Sequence, residues 1–149
     1  MVSLTADYAL RAILLLAKPD TTRALRADEI AHATGAPRNY MAKVLNAVAK
    51  AGLITSARGP AGGFTLALPA DEITLSRVVD LFDAVPTNPR CMLGSGPCDP
   101  VHPCRAHDAW QAVYSARRSP FTHTTIADLL EGRVVALANQ NDRESINVT

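Results

Sequence analysis

Three cysteines, Cys91, Cys98 and Cys104, lie within fourteen positions of a 149-residue chain, in the stretch CMLGSGPCDPVHPCRAH that runs from Cys91 to His107. Thiolates are soft ligands that suit iron–sulfur clusters, zinc or copper. Gly94, Gly96, Pro97, Pro100 and Pro103 exclude a regular helix or strand between the cysteines. A loop of that composition can bend three sulfurs toward one point. The spacing C-x6-C-x5-C-x2-H is unlike the paired C-x2-C knuckles of structural zinc folds. No Gly-rich phosphate loop, nucleophile elbow or paired acid–base carboxylates accompany the cysteines, so the pattern is not that of an enzyme with a small-molecule substrate.

The odd cysteine count, without a cationic start followed by an apolar signal core, argues against a secreted disulfide scaffold and for a cytoplasmic protein with reduced thiols. The longest apolar run, Ala12 to Ala17, is too short to cross a bilayer. The length predicts one compact domain, or a small domain with an appended dimerisation element. The net charge of +1 hides an asymmetry: residues 1–69 carry eight Lys/Arg against four Asp/Glu, and residues 70–149 seven against ten. The basic first half points to a polyanion partner.

The elements that would position these groups are mostly helical. Thr5 to Lys18 is rich in Ala and Leu and ends before Pro19, which predicts a central buried helix with Asp7 near its start. A second helix fits Arg26 to Thr34, with Gly35 as its cap. Pro37 opens a third and Gly52 closes it. In this third helix Met41, Val44, Leu45 and Val48 share one face, opposite Arg38, Asn39, Ala42, Lys43 and Asn46. Two helices joined by a tight turn, the second with a basic and amide-bearing outer face, describe a helix-turn-helix. Leu53 to Ala57 and Phe64 to Leu68 follow as strands around Arg58-Gly59-Pro60-Ala61-Gly62-Gly63, a hairpin with a cationic, glycine-rich tip. In that position it reads as a wing. A fourth helix is expected after Thr74, a fifth from Pro103 to Arg118 stopped by Pro120, and a short sixth over Thr125 to Glu131. The fold class is therefore mainly α with a small β-hairpin. A winged helix-turn-helix (1–69) is followed by a helix, the cysteine loop and a long helix (70–132), then a polar tail (133–149).

The run PRNYMAKVLNAVAKAGLITSARGPAGGFTLALP, the start LTADYALRA and the loop CMLGSGPCDPVHPCRAHDAW together resemble the bacterial winged-helix iron–sulfur regulators, the family of IscR-like and NsrR-like proteins. The resemblance covers residues 1 to about 132. It implies a homodimeric transcription factor, a repressor, that reads a near-palindromic operator in double-stranded DNA. DNA contacts then fall on Arg38, Asn39, Tyr40 and Lys43 of the third helix and on Arg58 and Gly59 of the wing. The fifth helix takes the dimerisation role. Cys91, Cys98 and Cys104 match the ligands of a 2Fe-2S or 4Fe-4S cluster that senses nitric oxide, redox stress or iron–sulfur status. The first gap holds six residues, where IscR-like sequences usually have five. The fourth ligand is Asp7, as a carboxylate from the partner's first helix, or His107. His102 matches no ligand position. The competing readings are a regulator of the same fold controlled by direct thiol oxidation, a zinc site, and an iron–sulfur electron carrier.

Overall fold

The computed structural model describes residues 2–83, 90, 91, 93–97 and 99–133, with the side chain of Arg117 excepted. Cys98 and the expected C-terminal tail beyond residue 133 lie outside the described residues.

The chain starts with α1 (Leu4–Ala17), whose N-cap Ser3 accepts from the Ala6 amide. Ala6, Ala9, Ala12, Ile13 and Leu16 are buried along it, as expected for a helix that the others pack around. Next come α2 (Ala27–Thr34) and α3 (Arg38–Lys50), joined through Gly35 in a left-handed cap. The apolar face of α3 is the one the periodicity marks: Met41, Val44, Leu45 and Val48 are all 2% exposed or less. With Ile13, Ile30, Leu53, Ile54, Ile73, Val78 and Ile126 they make one continuous core.

Strands β1 (Ile54–Ala57) and β2 (Gly63–Leu66) pair antiparallel, with Ile54 opposite Leu66 and Ala57 opposite Gly63. The segment before α2 adds one rung, since Leu25 N–H donates to Phe64 O (3.1 Å) and Phe64 N–H to Leu25 O (2.7 Å). Gly63 makes this approach possible. Its φ is +148°, and a Cβ built there would stand 2.6 Å from Leu25 O. Replacing Gly63 with alanine is therefore expected to destabilise the protein by about 1–3 kcal/mol, through backbone strain and a clash with main chain that cannot swing away. A urea midpoint within error of wild type would show that the wing root is not held this way.

After a single 3-10 turn (Ala70–Glu72), α4 (Leu75–Val79) is capped by Thr74, whose hydroxyl accepts from Arg77 N–H. Then follow α5 (His107–His123) and α6 (Ile126–Leu130). Backbone bonds join the ends of the chain's second half: Leu75 N–H to Thr124 O (2.9 Å) and Ile126 N–H to Ile73 O (2.8 Å).

Two expectations for α5 are corrected. The helix starts at His107 rather than Pro103, because Cys104 to Ala106 form a turn in which His107 N–H reaches Cys104 O (3.0 Å). It also runs through Pro120 to His123. A proline one turn from a helix end removes a single ladder bond. The last turn is closed beyond it by Thr124 N–H to Pro120 O (3.0 Å) and by the Thr122 hydroxyl to Arg118 O (3.1 Å).

Candidate functional site

Burying Met41, Val44, Leu45 and Val48 leaves Arg38, Asn39, Lys43 and Asn46 exposed on the opposite side of α3. Among the described residues no carboxylate pairs with Arg38, Lys43 or Arg58. Their charge is thus available to an external anion, and guanidinium, ammonium and amide donors are the groups that match phosphates and base edges. Tyr40 lies differently from its neighbours. Its hydroxyl is hydrogen-bonded to the Thr5 hydroxyl of α1, and its ring meets Tyr8 edge-on with centroids 6.0 Å apart at 71°. It remains 37% exposed, so it borders the outer face while leaning on α1.

At the wing, Arg58 and Gly59 are exposed, and Gly62 N–H closes the tip onto Gly59 O (3.0 Å). Gly59 has φ +105° with nothing within 4 Å of a built Cβ, so an open, left-handed backbone is presented at the tip. The wing is braced by residues that sequence reasoning missed. Arg26 Nη2 donates to Pro60 O (3.1 Å), tying the start of α2 to the tip. Behind it, Arg23 grips Glu29 with both guanidinium nitrogens (3.1 and 2.6 Å), and the same carboxylate caps α2 by accepting from Arg26 N–H (2.8 Å). These partners sit at different places in the chain, and only the spacing of Arg26 and Glu29, three apart at a helix start, hints at a cap.

The Arg23 hydrogen bond, followed by that from the Arg26 amide, holds the Glu29 carboxyl at about 2, below its ordinary 4.5. A depressed carboxyl contributes stability that is fully present above its unfolded pKa and is lost as pH falls through the folded one. The urea midpoint of wild type is therefore expected to exceed that of Glu29→Gln above pH about 4.5, with the gap closing toward pH about 2. A gap independent of pH would show that the charge is not what matters.

The cysteine loop is built as a small hairpin. Arg90 bridges Pro97, Cys91 N–H donates to Gly96 O (3.0 Å) and Gly94 N–H to Cys91 O (3.4 Å). Trp110 of α5 donates its indole N–H to Arg90 O (2.9 Å), fixing the loop's first strand to the long helix. The fold brings Cys91 and Cys104 together, with Sγ atoms 3.6 Å apart and both residues half-buried. Gly94 lies against Cys91: a Cβ built there would stand 3.6 Å from the Cys91 sulfur, in ordinary van der Waals contact.

Of the other proposed ligands, Cys98 lies outside the described residues. His107, half-buried, is the first residue of α5, one turn beyond Cys104. Asp7 pairs with Arg11 one turn along α1 (2.9 Å). His102 is exposed and bonded to Asp99 (3.2 Å). The Val101 amide and then the His102 ring hold the Asp99 carboxyl below the usual carboxylate range. Among the described residues of one chain, no group of three or more His, Cys, Asp or Glu converges as a metal would require.

The family described as "Iron-dependent Transcriptional regulator", Rrf2, matches residues 2–132. The chain belongs to the Rrf2 family. Curated relatives of this Rrf2 chain are named HTH-type transcriptional regulators. One from Aquifex aeolicus is 35% identical over 128 residues, covering 85% of this chain and 88% of the relative. Another, from Mycobacterium tuberculosis strain H37Rv, is 32% identical over 132 residues, covering 88% and 81%. Among solved structures, CymR, the global cysteine regulator of B. subtilis, superposes with a TM-score of 0.74 at 23% identity, covering 89% of this chain and 97% of CymR. T. potens IscR gives 0.70 at 23% identity, covering 89% and 87%. These likenesses establish the winged-helix fold, and the family establishes a DNA-binding transcriptional regulator. Among the described residues, no helix is long and apolar enough to cross a membrane.

Proposed function

We propose that this Rrf2 chain is a homodimeric repressor whose operator affinity is set by an iron–sulfur cluster held by Cys91, Cys98 and Cys104, with Asp7 or His107 as the fourth ligand. The observation that carries the reading is the 3.6 Å between the Cys91 and Cys104 sulfurs. A disulfide would hold them at about 2 Å. Two thiolates on one tetrahedral metal, at bonds of about 2.3 Å, stand about 3.8 Å apart. The pair therefore fits a shared metal ion. Four protein ligands divide as two per iron in a two-iron cluster and one per iron in a four-iron cluster.

Such a cluster, when bound, supplies an iron centre open to nitric oxide and oxidants, the more so if one ligand is a carboxylate or imidazole rather than a thiolate. The chain's own part is to hold the thiols. Trp110 anchors the loop to α5. On this reading α5 pairs with the same helix of a second copy, which would set the distance between the two α3 helices on DNA. Arg38, Asn39 and Lys43 then face the major groove, with Tyr40 at its edge, and Arg58 with Gly59 reaches the minor groove. We assign the protein to the cytoplasm, where thiols stay reduced.

The test is iron and acid-labile sulfide per subunit in protein purified without oxygen, compared with Asp7→Ala and His107→Ala, together with operator affinity before and after iron removal. Iron and sulfide in near-equal amounts, about two or four of each per subunit, are expected, and the substitution that destabilises them names the fourth ligand. Iron with no sulfide would point to a simple metal site. Equal operator affinity with and without iron would overturn cluster control. A protein that never takes up iron but changes affinity on mild oxidation would favour the thiol reading, which the closeness of Cys91 and Cys104 also suits.

A further inference from the structure

We infer that Arg26 is a positioning residue for the wing: its side chain fixes where Arg58 and Gly59 stand before DNA arrives, and so sets how strongly the sequence flanking the operator is read. The inference rests on the reading above that Arg58 with Gly59 reaches the minor groove, and it is independent of what the cysteines hold.

The wing has little to hold it in place by itself. Its ladder runs only from Ile54 opposite Leu66 to Ala57 opposite Gly63, and a two-stranded hairpin of that size is marginal alone. The root is fixed, because Leu25 and Phe64 exchange both backbone hydrogen bonds. Beyond Ala57 and Gly63 the ladder ends, and the tip, residues 58–62, is tied to the helical body by Arg26 Nη2, which donates to Pro60 O (3.1 Å). Consecutive residues therefore hold the two ends of the wing, Leu25 through its backbone and Arg26 through its guanidinium. An open cleft of about 440 Å³ between α2 and the tip, lined in part by Arg23, Arg26, Pro60 and Gly62, leaves the tip room to move when that bond is absent.

Local chemistry directs Arg26 to this task. The acceptor that would compete for its guanidinium is Glu29, but both Glu29 oxygens are taken by Arg23 (3.1 and 2.6 Å), and one of them also accepts the Arg26 backbone N–H (2.8 Å). Among the described residues no carboxylate forms an ion pair with Arg26, whose guanidinium reaches across to the tip instead. The tip passes the position on because it is tightly folded. Gly62 N–H donates to Gly59 O (3.0 Å), and a Cβ built at Gly62 would collide with Ala57 O and stand 2.9 Å from Gly59 O, so the turn needs glycine there. Arg58, Gly59 and Pro60 thus move as one piece, and holding Pro60 O holds the point from which the Arg58 side chain starts.

The experiment uses Arg26→Ala and Arg58→Ala, singly and together, in the full chain, with Arg26→Gln, whose side chain is shorter, in reserve should the alanine variant fold poorly. The probe is a DNA duplex selected by the wild-type protein from a randomised pool and resynthesised with A·T-rich and with G·C-rich flanks. Wild type is expected to bind the A·T-flanked duplex more tightly. Arg26→Ala should bring that preference down by about threefold or more, as Arg58→Ala does, and the double variant should fall little below the larger single effect, because both act through one side chain. In the protein without DNA, amide hydrogen exchange at Gly59, Ala61 and Gly62 should quicken by about threefold or more in Arg26→Ala and stay unchanged in Arg58→Ala. A wild-type flank preference in Arg26→Ala would overturn the inference, whatever the exchange shows. Equal loss on both flanks, multiplying with the loss from Arg58→Ala, would make Arg26 a direct phosphate contact and overturn it as well. If wild type showed no flank preference and Arg58→Ala left binding unchanged, the minor-groove reading would fall and the inference with it.

Discussion

Leu45→Ala should lower the stability of the protein by about 2–5 kcal/mol, the range for deleting most of a fully buried aliphatic side chain from a core that cannot collapse around the gap. Leu45 is 0% exposed at the centre of α3, in the same cluster as Ile13 of α1 and Ile30 of α2. Natural domains hold only about 5–15 kcal/mol in total, so this one substitution removes a large share. A fall in thermal midpoint of roughly 4–20 °C would follow for a chain of this size. Asn46→Ala is the comparison, because it changes the next residue, which faces outward. Its effect on stability should stay within about 0.5 kcal/mol. The pair separates the two faces of α3, one holding the fold and the other free to meet DNA. A loss under about 1 kcal/mol for Leu45→Ala would mean that α3 is not packed in this register.

The register of α3 was legible because a helix repeats every 3.6 residues, and the positions Met41, Val44, Leu45 and Val48 are apolar at that period. The two strands, the Thr74 cap and the Gly35 cap were legible for the same kind of reason, since each rests on neighbours within a few residues. The limits of α5 were not. Pro103 and Pro120 carry strong local preferences, but a proline near a helix end costs one bond, and the turn at Cys104 to Ala106 answers to the loop before it.

Contacts between distant parts of the chain were illegible. Nothing near Tyr40 announces Thr5 and Tyr8, and nothing near Pro60 announces Arg26. The cysteines illustrate both sides. Their types and order point to soft-metal chemistry, while the closeness of Cys91 and Cys104, thirteen residues apart, comes from the hairpin between Arg90 and Pro97 and from Trp110 holding it. Asp7 offered a local signal beyond its likeness to a ligand position. An acid four residues before a base on one helix, as Asp7 stands before Arg11, predicts the ion pair found. Service as a ligand would require exchanging that partner.

Arg58→Ala and Arg38→Ala should each weaken operator binding by about 10- to 100-fold, but with different dependence on sequence and salt. Both side chains are exposed and, among the described residues, have no carboxylate partner, so the loss is of contact with DNA rather than of fold. Each phosphate contact removed reduces the slope of log affinity against log salt by about 0.9. If Arg38, at the first turn of α3, holds a phosphate, its variant should lose affinity on every sequence, with a shallower slope. Arg58 stands beside the open Gly59 backbone on a wing braced by Arg26. Its loss should depend on the flanking sequence, greatest where A·T pairs narrow the minor groove and deepen its negative potential. Titrations across a salt series, on operators with A·T-rich and G·C-rich flanks, separate the two. If Arg58→Ala weakened binding equally on both flanks, the wing would be holding phosphate alone, and specificity would rest with α3.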